Sequence, residues 1–254
     1  MPELYDSCLG PALFSPYAEH LASMAQRWKP AHVLEVAAGT GIVTAALRRA
    51  LPDADIVATD LNEPMVAWGA TRVPSVTWEQ ADAQALPFPA SSYDLVVCAF
   101  GAMFFPDRPA AFGQLHAVLR PGGRALLSIW DTVETSDLPA ALLPCLDEAF
   151  PGEPASFIVR TPHGYTDPVR IEADLRAGGF DEVTIERVVL TGAPTPVDVY
   201  VQGLCLGSPL RFELATRGDL DAIVTRLTGL MQERLGTEPV VGTLTAFVVT
   251  ATRS

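Results

Sequence analysis

At 254 residues, nearly half of them hydrophobic, the chain is long enough for one large domain or a core with a small cap. A formal net charge of −13 and a pI near 4.6 argue against a duplex-binding surface, which needs clustered Lys and Arg. Lys29 is the only lysine among 17 basic residues, so a Gly-Lys-Ser/Thr phosphate loop and a Tyr-x-x-x-Lys pair are both excluded.

Residues 11–29 carry Leu13, Tyr17, Leu21 and Met24 at helical spacing, and Pro30 ends that segment. Strands and helices then alternate. Residues 32–37 read as a strand, 42–51 as a helix, 54–59 as a strand, and Pro64 opens the next helix at its tolerated first position. Residues 75–80 and 93–99 are strands and 109–120 a helix. Arg120-Pro-Gly-Gly123 is a tight turn before a strand from Arg124 to Trp130. Beyond Asp131 the rhythm breaks into a proline- and aromatic-rich stretch with a helical piece near 138–149. A helix near 169–178 and a strand over 182–190 follow. Asp219 caps an amphipathic helix with Leu220, Ile223, Leu227, Leu230 and Leu235 on one stripe, closed by Gly236. Thr243–Thr252 is the last strand.

Strict alternation predicts an α/β fold: a Rossmann-like, mostly parallel seven-stranded sheet with helices on both faces and helical cap insertions. The organisation expected is a single domain over 1–254. Residues 1–30 form an N-terminal helical segment and 31–130 the cofactor-binding half. Residues 131–168 and 191–241 form two insertions, and 169–190 and 242–254 the remaining sheet elements. Loops leaving strand C-termini overhang the ligand crevice in open α/β sheets, so both insertions are read as substrate-covering. Cys8, Cys98, Cys145 and Cys205 are scattered without zinc-ligand spacing, which points to reduced thiols in a cytoplasmic chain and to no metal site. No signal peptide is expected from Met-Pro-Glu-Leu-Tyr-Asp. The longest apolar run, Leu95–Phe105, is too short for a bilayer.

Chemistry concentrates in two segments. His32-Val-Leu-Glu-Val-Ala-Ala-Gly-Thr-Gly41 runs an apolar strand into a glycine-bearing turn, and Ile56-Val-Ala-Thr-Asp60 ends a second strand in a carboxylate. Small residues let backbone approach a ligand, and the acid can accept two ribose hydroxyls. On the residues alone, the nucleoside cofactor stays open. Gln80-Ala-Asp-Ala-Gln-Ala-Leu-Pro-Phe88 follows the third strand, Tyr93 to Phe105 holds the fourth and its exit, and Val118-Leu-Arg-Pro-Gly-Gly-Arg124 is a helix–turn–strand.

Together these five segments resemble the class I S-adenosylmethionine-dependent methyltransferases, in particular the small-molecule branch of the ubiquinone and menaquinone methyltransferases. The family pattern acid-x-Gly-x-Gly-x-Gly reads Glu35-Val-Ala-Ala-Gly-Thr-Gly41 here. Ala37 stands in place of the first glycine, which favours an unstrained backbone there. The resemblance implies that Glu35, Ala37, Gly39, Thr40 and Gly41 surround the methionine part of the cofactor. Asp60 would hold the ribose diol, Leu61 and Met65 would lie against the adenosine, and Asp82 with the Ala83 amide would meet the adenine. Phe100, Gly101 and Met103 fall beside the sulfonium, and Tyr17 joins the set from the N-terminal segment. Phe104 and Phe105 are read as core, and His116, on a helical face with Phe112 and Leu119, as packing or a satisfied polar contact.

A sulfonium methyl is already activated, so alignment and exclusion of water are the main demands and a base is needed only for some acceptors. His20, Asp131, His163 and Tyr165 are base candidates by position, and no catalytic residue is assigned. Phe14, Tyr17, Trp130, Phe157 and Phe212 suggest a partly aromatic acceptor pocket. The expected activity is methyl transfer to an oxygen, nitrogen or carbon of a small organic molecule, without nucleic acid or membrane partners; homodimerisation is compatible with the sequence. No Asp-Pro-Pro-Tyr-type motif follows the fourth strand, which disfavours DNA base methylation. Two rivals stay open: a nicotinamide-dependent oxidoreductase using the same crevice, and a non-catalytic cofactor-binding or partner protein.

Overall fold

The computed structural model describes residues 2–152 and 156–254, so residues 153–155 of the first expected insertion lie outside the described residues. Seven strands form one sheet: β1 (His32–Val36), β2 (Asp55–Asp60), β3 (Thr77–Gln80), β4 (Tyr93–Ala99), β5 (Leu119–Trp130), β6 (Glu182–Thr191) and β7 (Thr243–Thr252), in the order β3-β2-β1-β4-β5-β7-β6. The first five pair in parallel, and β7 runs antiparallel to β5. From the centre the order runs one way through β2 and β3 and the other way from β4 to β5. Right-handed crossovers then put helices Ile42–Ala50 and Glu63–Arg72 on one face and Arg108–Val118 on the opposite face. The reversal falls between β1 and β4, where open α/β sheets bind ligands beyond the strand C-termini.

The strands read as they do because they are buried. Val33, Leu34, Leu95, Val96, Val97, Ala125, Leu126 and Leu127 are essentially inaccessible, which a parallel sheet covered on both faces demands of continuous apolar runs. The glycine pair expected as a turn before the fifth strand lies instead within β5. Tyr93 is opposite Leu119 and Leu95 opposite Arg124, so β5 carries a bulge of extra residues while the Gly122 amide is held by the Arg253 carbonyl.

The chain divides into two compact units. The sheet unit comprises residues 17–130, 165–188 and 246–254. Within it, helix Pro168–Ala177 is capped by Asp167, which accepts from the Val169 amide, and packs on Arg108–Val118. In line with the packing reading, His116 meets Phe180 edge-on at 5.2 Å.

The helical unit comprises residues 1–16, 131–164 and 189–245. Its described helices include Asp137–Ala149, Val197–Gln202, Leu210–Ala215 and Leu220–Leu235, together with two π-helical stretches at Tyr5–Phe14 and Gly203–Gly207 that pack on each other. Asp219 caps the longest helix by accepting from the Ala222 amide, and Ile223, Leu227 and Met231 are its buried stripe. Leu220, Leu230 and Leu235 are only half-buried, so the stripe is narrower than its leucines suggest. Among the described residues no helix is long and apolar enough to cross a membrane. All four cysteines are buried and free.

Candidate functional site

Every residue that the resemblance assigns to the cofactor falls in the sheet unit. β1 ends at Val36, and the chain turns through Ala37–Gly41 into helix Ile42–Ala50. The turn is tied to β2: the Ala38 amide donates to the Thr59 carbonyl at 2.8 Å, and the Gly39 amide to Asp60 Oδ2 at 2.9 Å. Gly39 (φ +56°) and Gly41 (φ +82°) both take the left-handed conformation. A side chain at Gly39 would project into open space, whereas one at Gly41 would press on the Trp78 ring.

Ala37 corrects one expectation. Its φ of +55° is left-handed, so the backbone is strained where an unstrained one was expected. These two turn hydrogen bonds require the chain to reverse at this point, and they override the preference of alanine, at a cost of roughly 1–2 kcal/mol. The methyl group also decides a neighbour: a Cβ at Gly101, just past β4, would sit 2.5 Å from Ala37 Cβ. The turns leaving β1 and β4 thus meet at the switch point.

Two carboxylates stand there. Glu35, the fourth residue of β1, is 1% exposed. Its Oε2 has no hydrogen-bond partner, and neither has the buried Thr44 hydroxyl that faces it from the first turn of the following helix. Burial pushes the Glu35 carboxyl up to about 8; the nearby Thr44 hydroxyl offsets part of this, and the Asp60 charge adds to it. Asp60, also buried, accepts from the Gly39 amide through Oδ2 and from the Asn62 amide through Oδ1, each at 2.9 Å. Burial raises its pKa and those backbone amides pull it back. A carboxylate oxygen can take more than one donor, so Asp60 can still meet a hydroxyl.

Leu61 follows, 61% exposed, with its carbonyl held by the Gln80 side-chain amide at 2.8 Å. Met65 is half-buried on the next helix. Beyond β3, Asp82 is exposed and its Oδ1 accepts from the Gln84 amide, while Ala83 is buried. Thr40 is buried in the turn. At the end of β4, Phe100 is left-handed (φ +54°) and stacks on Trp130 with centroids 3.8 Å apart. Tyr17 packs edge-on to both rings and is fully buried, its hydroxyl donating to the Val188 carbonyl at 2.8 Å. Tyr17 therefore acts as a brace behind Phe100 and Trp130.

The other sequence expectations separate. Phe104 was read as core and is 46% exposed, because the short 3₁₀ turn Ala102–Phe104 points it outward while burying Ala102 and Met103. Tyr165 is locked in place: its hydroxyl donates to Asp174 Oδ2 at 2.8 Å, with the Arg108 guanidinium over its ring at 4.2 Å. Burial and the Asp174 carboxylate hold its pKa far above the ordinary tyrosine value, which suits no base. His20 is half-buried in helix Ser15–Trp28. In the helical unit, His163 is buried with Nδ1 2.6 Å from the Asp131 carbonyl oxygen. A carbonyl only accepts, so Nδ1 carries the proton and Nε2 is the basic nitrogen of the neutral ring; burial lowers its pKa. Phe14 stacks on Tyr5, and Phe212 is largely exposed beneath Arg211. Thr44, Trp78 and Gln80 were missed by sequence reasoning. For Thr44, a hydroxyl on the third residue of the helix that follows a glycine loop was the available signal.

This strand order and this pair of acids behind a glycine turn coincide with a family match. Residues 33–123 match the family model described as a methyltransferase domain. Over 102 residues, 39% of this chain, it is 38% identical to the demethylmenaquinone methyltransferase of Thermus thermophilus, of which the match covers 46%; the chain thus spans about half the length of the curated relative it matches. A phosphoethanolamine N-methyltransferase of Haemonchus contortus, solved with S-adenosyl-L-methionine, superposes with a TM-score of 0.62 at 16% identity, covering 100% of this chain and 57% of that one. The [4+2]-cyclase SpnF superposes at 0.61 and 16% identity, covering 98% and 91%. The matched segment is similar to the class I, S-adenosylmethionine-dependent methyltransferases, and its residues fit that cofactor. Glu35 offers an unpartnered buried carboxyl oxygen to an ammonium, and Gly39 leaves open space beside it.

Proposed function

We propose that this protein transfers a methyl group from S-adenosylmethionine to an oxygen, nitrogen or carbon atom of a small organic acceptor. The fully buried Glu35 carboxyl, whose Oε2 has no partner, together with the open space at Gly39, carries this reading. A buried acid without a cation is costly unless the ligand brings one, and an amino acid's ammonium does so. Asp60 would serve the ribose of either a dinucleotide or S-adenosylmethionine, whereas the buried Glu35 suits an ammonium better than a pyrophosphate.

When bound, the cofactor supplies a methyl group on a positively charged sulfur, activated toward displacement. Glu35 holds the ammonium. Asp60, fixed by the Gly39 and Asn62 amides, receives the ribose hydroxyls. Leu61 and Met65 give the adenine an apolar shelf, and Asp82 with the Ala83 amide reads its edge. Phe100, braced by Trp130 and Tyr17, would shield the bound cofactor from water at the end of β4, and the sulfonium would supply an activated methyl group to an acceptor. Acceptor choice is assigned to the helical unit, the part of the chain that lies largely outside the family match. The acidic net charge supports a small acceptor over a nucleic acid.

The test is calorimetric titration with S-adenosylmethionine and S-adenosylhomocysteine, followed by labelled-methyl uptake across a panel of small acceptors. Binding of both with uptake is expected. The likeness to a [4+2]-cyclase gives weight to a second reading, in which the fold and cofactor serve a reaction other than methyl transfer. Tight binding with no methyl loss in any acceptor pool would favour it, and absence of binding would end both.

A further inference from the structure

We propose that Glu35 is a neutral carboxylic acid before the cofactor binds and surrenders its proton to solvent when the ammonium end of the ligand arrives, so that cofactor affinity rises with pH through this one side chain. The inference rests on the cofactor reading above. Its basis is the set of groups around the carboxyl. Glu35 lies in register with Ala58 on β2 and Val97 on β4, inside the sheet rather than at its rim. Asp60 faces it from β2, the Cys98 thiol from β4 and the Thr44 hydroxyl from helix Ile42–Ala50. None of these is a cation, and among the described residues no ion pair reaches Glu35. Cys98 is itself held as a thiol, pushed up to about 12 by its burial.

Ionising Glu35 in these surroundings would place a bare charge next to the Asp60 carboxylate, with Oε2 lacking any donor. Burial accordingly holds the proton on, to about pH 8. An ammonium inverts the balance, because an opposite charge at close range favours the ionised form. The carboxyl O–H bond breaks, its electron pair stays on the oxygen and faces the ammonium, and the proton leaves to bulk water or buffer. One positive charge replaces another, so the buried site never carries an unbalanced acid. Asp60 differs, since two backbone amides already stabilise its ionised form.

Linkage makes this measurable, since the slope of log affinity against pH equals the number of protons released. The full chain is titrated calorimetrically with S-adenosylhomocysteine in phosphate and in Tris, whose ionisation heats differ, from pH 6 to 7.5. Release of close to one proton and an affinity rising about tenfold per pH unit are expected. 5′-Methylthioadenosine, which keeps the adenosine and the sulfur but lacks the ammonium, should bind with no proton release. Glu35→Gln should bind S-adenosylhomocysteine with a flat pH profile. Infrared difference spectra of the unaltered protein, should that variant fail to fold, must show a protonated-carboxyl C=O band lost on binding. Binding without proton release, or release that persists in Glu35→Gln, overturns the inference and leaves the cofactor reading standing. Failure of both nucleosides to bind overturns the cofactor reading, and this inference with it.

Discussion

The ends of β1 and β2 each present a carboxylate, and the two are built for different work. Asp60 sits at the rim of the sheet with an amide on each oxygen, so it is half scaffold: it fastens the glycine turn through Gly39 and the start of the next helix through Asn62. Glu35 lies two positions deeper in register and fastens nothing with Oε2. A fold gains nothing by burying an acid without donors, and the cost is tolerated where a ligand later supplies the partner. In the proposed cofactor site, the contrast separates the acid that shapes the turn from the acid that would receive the ligand.

The largest effect that could break this contrast is on stability against pH. Glu35 has its folded pKa raised from 4.5 to about 8, so its contribution is fully present below pH 4.5 and is lost as pH rises toward 8. The unliganded protein should therefore lose roughly 3–4 kcal/mol over that interval from this group alone, and Glu35→Gln should remove that part of the slope. Denaturant titrations of both proteins at pH 5 and pH 8 measure it, and parallel slopes would mean that Glu35 is already ionised. Asp60→Ala is next. It should weaken S-adenosylhomocysteine binding by about 1.5–3 kcal/mol, the scale of a hydrogen bond to a charged group. It should also lower the melting temperature, because two amides lose their acceptor. Unchanged affinity in a folded variant would take Asp60 out of the site.

Much of the sheet was legible from its residues. β4 and β7 fall where the β-branched and apolar runs place them, bounded by turn residues, and the site residues sit at strand ends that the alternation located. What escaped has physical causes. Val197–Gln202 and Leu210–Ala215 are six residues each, under two turns, too short for a 3.6-residue period to show. Tyr5–Phe14 winds as a π-helix with Pro11 inside it, a repeat that no helical-wheel reading detects. Glu35 was placed beside the cofactor by its motif, yet the unpartnered state of its Oε2 depends on what β2, β4 and the next helix bring near, and sequence spacing holds no such information. Ala37 misled because the hydrogen bonds that fix its backbone come from Thr59 and Asp60, more than twenty residues away.

Strain at the switch point gives the smaller tests. Gly101→Ala would put a methyl group 2.5 Å from Ala37 Cβ and 3.0 Å from Cys98 Sγ, and should destabilise by about 1–3 kcal/mol through overpacking. Ala37→Gly removes both the clash partner and the left-handed alanine. Taken singly it should stabilise by about 0.5–1 kcal/mol, since the relief of strain exceeds the entropy regained by the unfolded chain. In the double variant most of the Gly101→Ala penalty should vanish, a coupling that thermal melts of the four proteins resolve. S-adenosylhomocysteine affinity should stay level in Ala37→Gly, because Glu35 and Asp60 keep their places. If affinity falls instead, the strained alanine is what holds the turn against the ligand, and the division of labour drawn between the two acids must be extended to the backbone that joins them.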